Sequence, residues 1–170
     1  MNTLDLFRPI RTFLFDVDGV LTNGEIIILE DGSLIRKMSV RDGYAIQRAI
    51  KQGYRIGIIT GGSSRGVADR LHNLGITDIY DGVRDKLDAF RDFIEKHHVK
   101  EESILYMGDD IPDYEVMRRV GLPTCPRNAV PEILELSQYI SPKEGGDGCV
   151  RDVIEKTLRI HGKWMDERPD

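Results

Sequence analysis

The sequence contains only two cysteines, no surplus of basic residues and no long apolar run, and each scarcity excludes a class of protein. Cys125 and Cys149 cannot build a disulfide framework and lack the spacing of metal ligands, so we expect two unpaired thiols in a reduced, cytoplasmic protein. No apolar run approaches the roughly 20 residues that cross a membrane. The net charge of -5 argues against a nucleic-acid partner. We therefore expect neither membrane nor nucleic-acid binding.

The 170 residues instead alternate between buried strands and amphipathic helices, a pattern that fits a single domain over residues 1–170. Three continuous apolar runs are typical of strands that are covered on both faces: "TFLFDVD", "YRIGIIT" and "SILYMGD". Apolar residues at helical spacing follow these runs. The alternation predicts a three-layer, Rossmann-like α/β fold with a parallel sheet.

One segment interrupts this alternation. Residues 25–40, "EIIILEDGSLIRKMSV", contain two β-rich runs joined by Asp31-Gly32, which is typical of a β-hairpin turn. Four consecutive aliphatic residues, Ile26 to Leu29, require burial on both faces, which a solvated flap would not give them. We predict a β-hairpin insertion here, and an irregular C-terminal tail over residues 161–170, "HGKWMDERPD".

Polar residues gather where the predicted strands end, at the edge of the sheet where ligands bind in such folds. Seven of them end a strand or open the next helix: Asp16, Asp18, Thr60, Lys86, Asp109, Asp110 and Asp113. If the strand continues through Asp16 and Asp18, both side chains point to one side. Burying carboxylates costs several kcal/mol each unless they are paired or bound to metal. Acids, a hydroxyl and a lysine in one crevice suit Mg²⁺ together with a phosphoryl group.

The motifs "DVDGVLT", "IITGG", Lys86 and "GDDIPD" resemble, in order and context, the four motifs of the haloacid dehalogenase-type phosphatases. The resemblance implies that Asp16 is the nucleophile and becomes an aspartyl phosphate. It implies that Asp18 protonates the leaving alkoxide and then activates the hydrolytic water. Thr60, Gly61 and Lys86 would bind the phosphoryl oxygens and stabilise the charge that develops there.

The same resemblance implies a Mg²⁺ site. The ion would be held by Asp16, by Asp18 through its backbone carbonyl, and by Asp109. Asp113 would stand behind these ligands and orient Lys86 or a metal-bound water. For Asp110 two roles stay open, one in the site and one as a helix cap.

The spacing of the motifs bears on the subfamily. Relatives often carry a cap domain, but only 41 residues separate Asp18 from Thr60 and 25 separate Thr60 from Lys86, so no cap domain fits. The features "DGVLTNG", "VRDGYAI", "GVRDKL" and "GGDGCVRDVIE" resemble the capless tetrameric subfamily that acts on 3-deoxy-D-manno-octulosonate 8-phosphate, in the synthesis of lipopolysaccharide. A sister branch acts on a nine-carbon sugar-acid 9-phosphate and carries a glutamate and a lysine where Gly62 and Asn73 stand here. This difference favours the eight-carbon substrate.

Two other classes stay open at this point. A phospho-acceptor domain of the receiver type also combines acids, a threonine and a lysine, although its acid pair and its acceptor aspartate lie on different strands. A non-catalytic assembly protein could keep the fold, but it would be expected to lose a motif aspartate, and none is missing.

Recognition of a sugar acid requires a partner for its carboxylate, and arginine binds carboxylates through two hydrogen bonds. We expect this role for Arg70, on the helix after the second motif, and for Arg41, at the base of the hairpin. Without a cap, the site would be completed in a homo-oligomer, a tetramer by the resemblance. The tail, with Lys163, Trp164 and Arg168, would either lie over a neighbour's anionic ligand or be a solvated, disordered terminus.

Overall fold

A parallel sheet of six strands forms the centre of the protein, which a computed structural model describes over residues 2–165. The strands are, in chain order, β1 (Thr12–Phe15), β2 (Ile27–Ile28), β3 (Leu34–Ile35), β4 (Arg55–Ile59), β5 (Asp78–Tyr80), β6 (Ile104–Met107), β7 (Leu122–Pro126) and β8 (Tyr139–Ser141). The central sheet has the order β5-β4-β1-β6-β7-β8, and all its neighbouring strands are parallel. The predicted parallel α/β sheet is confirmed.

Helices cover both faces of this sheet. They are α1 (Val40–Lys51), α2 (Arg65–Asn73), α3 (Lys86–His97), α4 (Tyr114–Met117), α5 (Pro131–Leu136) and α6 (Cys149–Ile160). Along β1, Phe13 and Phe15 belong to the hydrophobic cluster that includes α1 and α6, whereas Leu14 belongs to the cluster on the opposite face, with α3. Burial on both faces explains why the strand sequences are apolar without interruption. In the described part of the chain, no helix is both long enough and apolar enough to cross a bilayer.

The turn after β1 differs from the expectation. The strand ends at Phe15, and the chain turns over Val17–Leu21, so the prediction that Asp18 continues the strand is wrong. The turn begins because the Asp16 carboxylate accepts a hydrogen bond from the Val17 N–H at 2.7 Å. Gly19 adopts a φ of 89°, and a Cβ there would lie 1.9 Å from the Asp109 carboxylate. Only glycine fits this turn without displacing Asp109.

The predicted hairpin is present, with two-residue strands β2 and β3. Its turn spans three residues: the Gly32 N–H donates to Leu29 O, the Leu29 N–H donates to Ser33 O, and Gly32 adopts a φ of 83°. This is the geometry of a type I turn followed by a left-handed glycine. The aliphatic side chains of the hairpin are exposed in the single chain, with Ile27 at 62% and Ile28 at 74%.

The start of the tail packs on its own chain. Trp164 is 5% exposed, its ring meets the Tyr44 ring edge-on at 5.9 Å, and the Arg151 guanidinium lies 5.1 Å from its centre. Arg48 donates hydrogen bonds to the backbone carbonyls of Lys163 and Trp164. The prediction that Trp164 covers a neighbour's ligand is therefore wrong, because burial in its own chain already satisfies this side chain. Arg168 lies outside the described residues.

Both cysteines are buried and unpaired, as expected. Cys149 opens α6, and the first turn of this helix contacts a buried acid of α1. Asp42, which is 1% exposed, accepts a hydrogen bond from the Arg151 N–H at 2.8 Å, while its Oδ2 is buried without a partner in the described structure. Burial raises the pKa of Asp42 to about 6. Asp42 thus links α1 to α6 at the cost of a buried charge.

We expect this charge to make stability depend on pH. Because the pKa of Asp42 is higher in the folded than in the unfolded chain, its contribution to the free energy of unfolding falls as pH rises from about 4 to about 6, by up to about 3 kcal/mol, and is level above. Asp42→Asn keeps the hydrogen-bond acceptor without the charge. The free energy of unfolding of this variant, measured in urea, should therefore decline less between about pH 4 and about pH 6 than that of the wild type. The exposed control Asp88→Asn should follow the wild type, and a parallel curve for Asp42→Asn would contradict the prediction.

Candidate active site

Three carboxylates meet where β1 and β6 end. Asp16 directly follows β1, Asp109 comes shortly after β6, and these strands are parallel neighbours with Phe15 opposite Met107. Oxygens of Asp16, Asp109 and Asp113 lie within 4.8 Å of one another. The strands that follow β1 are added first on one side of it (β4, β5) and then on the other (β6, β7, β8). In open α/β sheets, such a change of side leaves a crevice at the carboxyl ends of the strands, where ligands bind.

Lys86 reaches this cluster from helix α3. It is the first residue of α3, it is buried, and its Nζ lies 2.9 Å from Asp16 and 2.7 Å from Asp113. Burial opposes the charge on Lys86, but the carboxylates of Asp113 and Asp16 outweigh it and raise the pKa of the lysine. Lys86 therefore stays charged within the site.

Asp113 uses both carboxylate oxygens within the protein. Its Oδ1 accepts from Lys86 Nζ and from the Tyr106 hydroxyl at 2.6 Å, and its Oδ2 accepts from the Asp109 N–H at 3.0 Å and the Asp110 N–H at 3.4 Å. These bonds favour the orienting role that the sequence suggests, with Asp113 holding Lys86 and the loop that carries Asp109. Sequence reasoning missed Tyr106, although a tyrosine within a fully buried strand needs a partner for its hydroxyl.

The cluster carries more negative charge than its lysine balances. Burial, followed by the repulsion from Asp113, raises the pKa of Asp16 to about 6. Burial, followed by the repulsion from Asp16, raises the pKa of Asp109 to about 7. Carboxylate oxygens are the donors that a hard divalent cation such as Mg²⁺ prefers, and a cation here would remove the repulsion. Asp16 and Asp109 fit such an ion, whereas each oxygen of Asp113 already accepts two hydrogen bonds from the protein.

The second motif supplies a hydroxyl and backbone donors. Thr60 directly follows β4, is buried, and accepts a hydrogen bond from the Gly62 N–H at 3.3 Å. Helix α2 begins at Arg65 and is capped by Ser64, so Thr60 does not cap this helix. The predicted motif residues share one cavity of about 280 Å³, lined by Asp16, Asp18, Gly24, Thr60, Gly61, Gly62, Lys86, Asp109, Asp110, Pro112 and Asp113.

The structure adds an arginine that sequence reasoning missed. Arg36 follows β3 of the hairpin, and its Nε and Nη2 lie 2.6 Å and 3.3 Å from the two carboxylate oxygens of Asp18. An arginine next to the aliphatic run of a hairpin strand is the only local signal, and it does not indicate the partner. Asp110 caps the short helical turn Ile111–Asp113 and is exposed, which favours the capping role.

The two predicted substrate arginines lie apart from the acid cluster of their own chain. Arg70 lines a second cavity, beneath the hairpin, together with Arg36. Arg41 lines a polar groove along α6. A role for either in carboxylate recognition stays a prediction.

Comparison with known proteins shows the family of this chain. Residues 33–126 match the haloacid dehalogenase-like hydrolases, over more than half of the chain. The chain belongs to this family. The receiver-type alternative is therefore wrong, and the predicted family, fold and enzyme class are confirmed.

Three similar proteins are phosphatases named for the same substrate. The chain is 40% identical over 158 residues to 3-deoxy-D-manno-octulosonate 8-phosphate phosphatase of Escherichia coli strain K12, covering 93% of this chain and 84% of the relative. It resembles the crystal structure of the phosphatase of the same name from Yersinia pestis with a TM-score of 0.94 and 34% identity, over 96% of this chain and 89% of that chain. The Moraxella catarrhalis phosphatase, solved with magnesium, phosphate and KDO, has a TM-score of 0.91 and 34% identity, over 95% and 93% of the two chains.

We expect Mg²⁺ to compete with protons at this site. Because burial and repulsion raise the pKa of Asp16 to about 6 and of Asp109 to about 7, both carboxylates are mostly protonated at pH 5 and mostly ionised at pH 7.5. The increase in melting temperature on adding MgCl₂ should therefore grow over this range. Asp109→Asn should lose most of the increase, whereas the exposed control Asp88→Asn should keep it. An increase that is independent of pH, or one that survives in Asp109→Asn, would contradict this site.

Proposed function

We propose that the protein is a Mg²⁺-dependent phosphomonoesterase that hydrolyses 3-deoxy-D-manno-octulosonate 8-phosphate, a step in lipopolysaccharide precursor synthesis. The observation that carries the proposal is the buried Asp16 beside Lys86 and Asp109, at the open end of β1. The relatives named for this activity support the substrate, and Gly62 and Asn73 favour it over the nine-carbon sugar acid. The two unpaired, buried thiols suit a cytoplasmic setting.

The first step transfers the phosphoryl group to the protein. A carboxylate oxygen of Asp16 attacks phosphorus, the bond from phosphorus to the sugar oxygen breaks, and an aspartyl phosphate forms. Lys86, Thr60 and the backbone N–H of Gly61 bind the phosphoryl oxygens and stabilise their charge. Asp16, Asp109 and the backbone carbonyl of Asp18 would hold Mg²⁺, which would offset the repulsion between carboxylates and phosphate.

Asp18 handles the protons of both steps. Its carboxylic acid gives a proton to the departing sugar alkoxide, so that the product leaves as an alcohol. The resulting carboxylate then takes a proton from the water that attacks the aspartyl phosphate, which releases inorganic phosphate and restores Asp16. Asp18 is the more exposed of the two, since its side chain is 31% accessible and that of Asp16 is 9% accessible. This exposure suits a group that must meet the leaving oxygen and water.

The decisive measurement is hydrolysis of the proposed substrate in the presence of MgCl₂. The wild type should release phosphate from the eight-carbon 8-phosphate with a higher kcat/KM than from a nine-carbon 9-phosphate, and EDTA should abolish turnover. Asp16→Asn should lose activity by at least about 1000-fold while remaining folded, because an amide cannot act as the nucleophile. The control Asp88→Asn should match the wild type.

Three results would count against this function. Preference for the nine-carbon ester would assign the protein to the sister activity. Activity that survives in folded Asp16→Asn would remove the nucleophile. A wild type that hydrolyses neither sugar-acid phosphate would reject the activity as a whole.

The exposed hairpin points to an assembly of several copies. Ile27, Ile28, Leu34 and Ile35 present an apolar surface to solvent beside an open catalytic cavity. Exposed strand edges and contiguous apolar patches mark contact surfaces, and a second copy offers the same hairpin as a partner. We propose a homotetramer in which hairpins of different copies pack together. In this assembly Arg70, on α2, and Arg41, from the base of a neighbouring hairpin, would bind the sugar-acid carboxylate.

Ile28→Arg should therefore reduce the assembly to a smaller species in light scattering at micromolar concentration, because it places a charge in the apolar contact. We expect KM for the sugar-acid phosphate to rise about tenfold, with turnover of p-nitrophenyl phosphate retained, since this ester needs no carboxylate partner. Ile140→Arg is the matched control, because Ile140 is exposed on β8, away from the hairpin. A wild type that is already monomeric would end the shared-site proposal.

A further inference from the structure

Arg36 is buried, unlike the aliphatic residues of the same hairpin. Its side chain is 6% accessible, whereas Ile27 and Ile28 of the same hairpin are mostly exposed. The guanidinium lies against Asp18, the group to which the proposed function assigns proton transfer. The hairpin thus places a buried cation against Asp18, a residue that lines the catalytic cavity.

The contact between the two side chains fixes an orientation. Nε and Nη2 of Arg36 each bond a different oxygen of Asp18, at 2.6 Å and 3.3 Å. A two-point contact of this kind restrains rotation of the carboxylate far more than a single hydrogen bond does. Within the described residues, the Asp18 carboxylate has no other hydrogen-bond partner, and it lies in a turn rather than in a strand. Arg36 is therefore the group that determines where this carboxylate points.

A glycine leaves room for the pair. A Cβ at Gly62 would lie 3.0 Å from Asp18 Oδ2 and 3.3 Å from Arg36 Nη2, which is tighter than ordinary contacts. A larger side chain at this position would have to share the space with the pair or displace it. The third nitrogen, Arg36 Nη1, is buried without a partner in the described structure, so the guanidinium retains one unused donor beside the cavity.

We propose that Arg36 is a positioning residue, which holds the carboxylate of Asp18 for proton transfer and thereby couples this step to the placement of the hairpin. The inference rests on the proposed function, because it assumes that Asp18 is the acid and base. The residue acts through Asp18 and needs no contact with the reacting atoms. Its removal should therefore affect turnover more than substrate binding, and should matter most when the leaving group needs a proton.

The test compares two esters in the full-length protein with MgCl₂. The sugar-acid phosphate leaves as an alkoxide and needs a proton, whereas p-nitrophenol leaves as a stable anion. Arg36→Ala should lower kcat for the sugar-acid phosphate by about 10- to 100-fold, with a smaller loss for p-nitrophenyl phosphate and less than about a threefold change in KM. Arg36→Lys should recover part of the loss, because a lysine can offer one of the two donors. Lys37→Ala, which removes the adjacent exposed cation, should match the wild type.

A double variant separates positioning from a structural role. In the Asp18→Asn background, Arg36→Ala should cause little further loss, because the group that it positions is already disabled. An equal loss on both esters, or a full additional loss in the Asp18→Asn background, would overturn the inference. If Arg36→Ala does not fold or assemble as the wild type does, Arg36→Lys provides the same comparison. Suppose that the wild type hydrolyses the sugar-acid phosphate, and that the Arg36 variants have the same ratio of kcat between the two esters as the wild type. In that case this inference fails and the proposed function stands.

Discussion

The buried charge around Lys86 is the constraint on which the rest of the site depends. One ammonium group bonds two carboxylates, Asp16 and Asp113, in a place that excludes most water. Removing Lys86 would leave buried carboxylates without their cation, which costs far more than an exposed ion pair contributes. The sheet order follows the same need, because only adjacent β1 and β6 can bring Asp16 and Asp109 together while α3 delivers the lysine.

Much of this arrangement could be predicted from the sequence, for a definite physical reason. Parallel strands that are buried on both faces must be apolar throughout, so a carboxylate such as Asp16 at the end of one is conspicuous. Carboxyl ends of parallel strands share one edge, which places Thr60 and Asp109 beside it without further information. Lys86 was predictable because a cation in the first turn of a helix is unfavourable unless a neighbouring anion compensates it.

The missed residues depend on contacts that no local pattern encodes. Arg36 reaches Asp18 across 18 positions of sequence, and the hairpin turn, rather than any periodicity, decides that they meet. Tyr106 alternates correctly as a strand residue, so its hydroxyl partner becomes visible only in three dimensions. Trp164 stands in a polar tail, yet it packs on Tyr44 and Arg151 because α1 and α6 leave a place for its ring. Burial of a tail residue depends on a surface built by distant segments.

The hairpin joins two requirements that a single chain meets only in part. Two-residue strands are too short to be stable alone, and most of the aliphatic side chains on this hairpin face solvent. Within the chain, the bond from Arg36 to Asp18 and the packing of Met38 against the core anchor the hairpin, against a large exposed apolar surface. Contact with another copy would supply the missing burial and hold Arg36 in place, so association and the order of the catalytic cavity favour the same conformation. In such an assembly, a capless phosphatase would use the contact between copies to arrange a proton-transfer group, in place of an inserted domain.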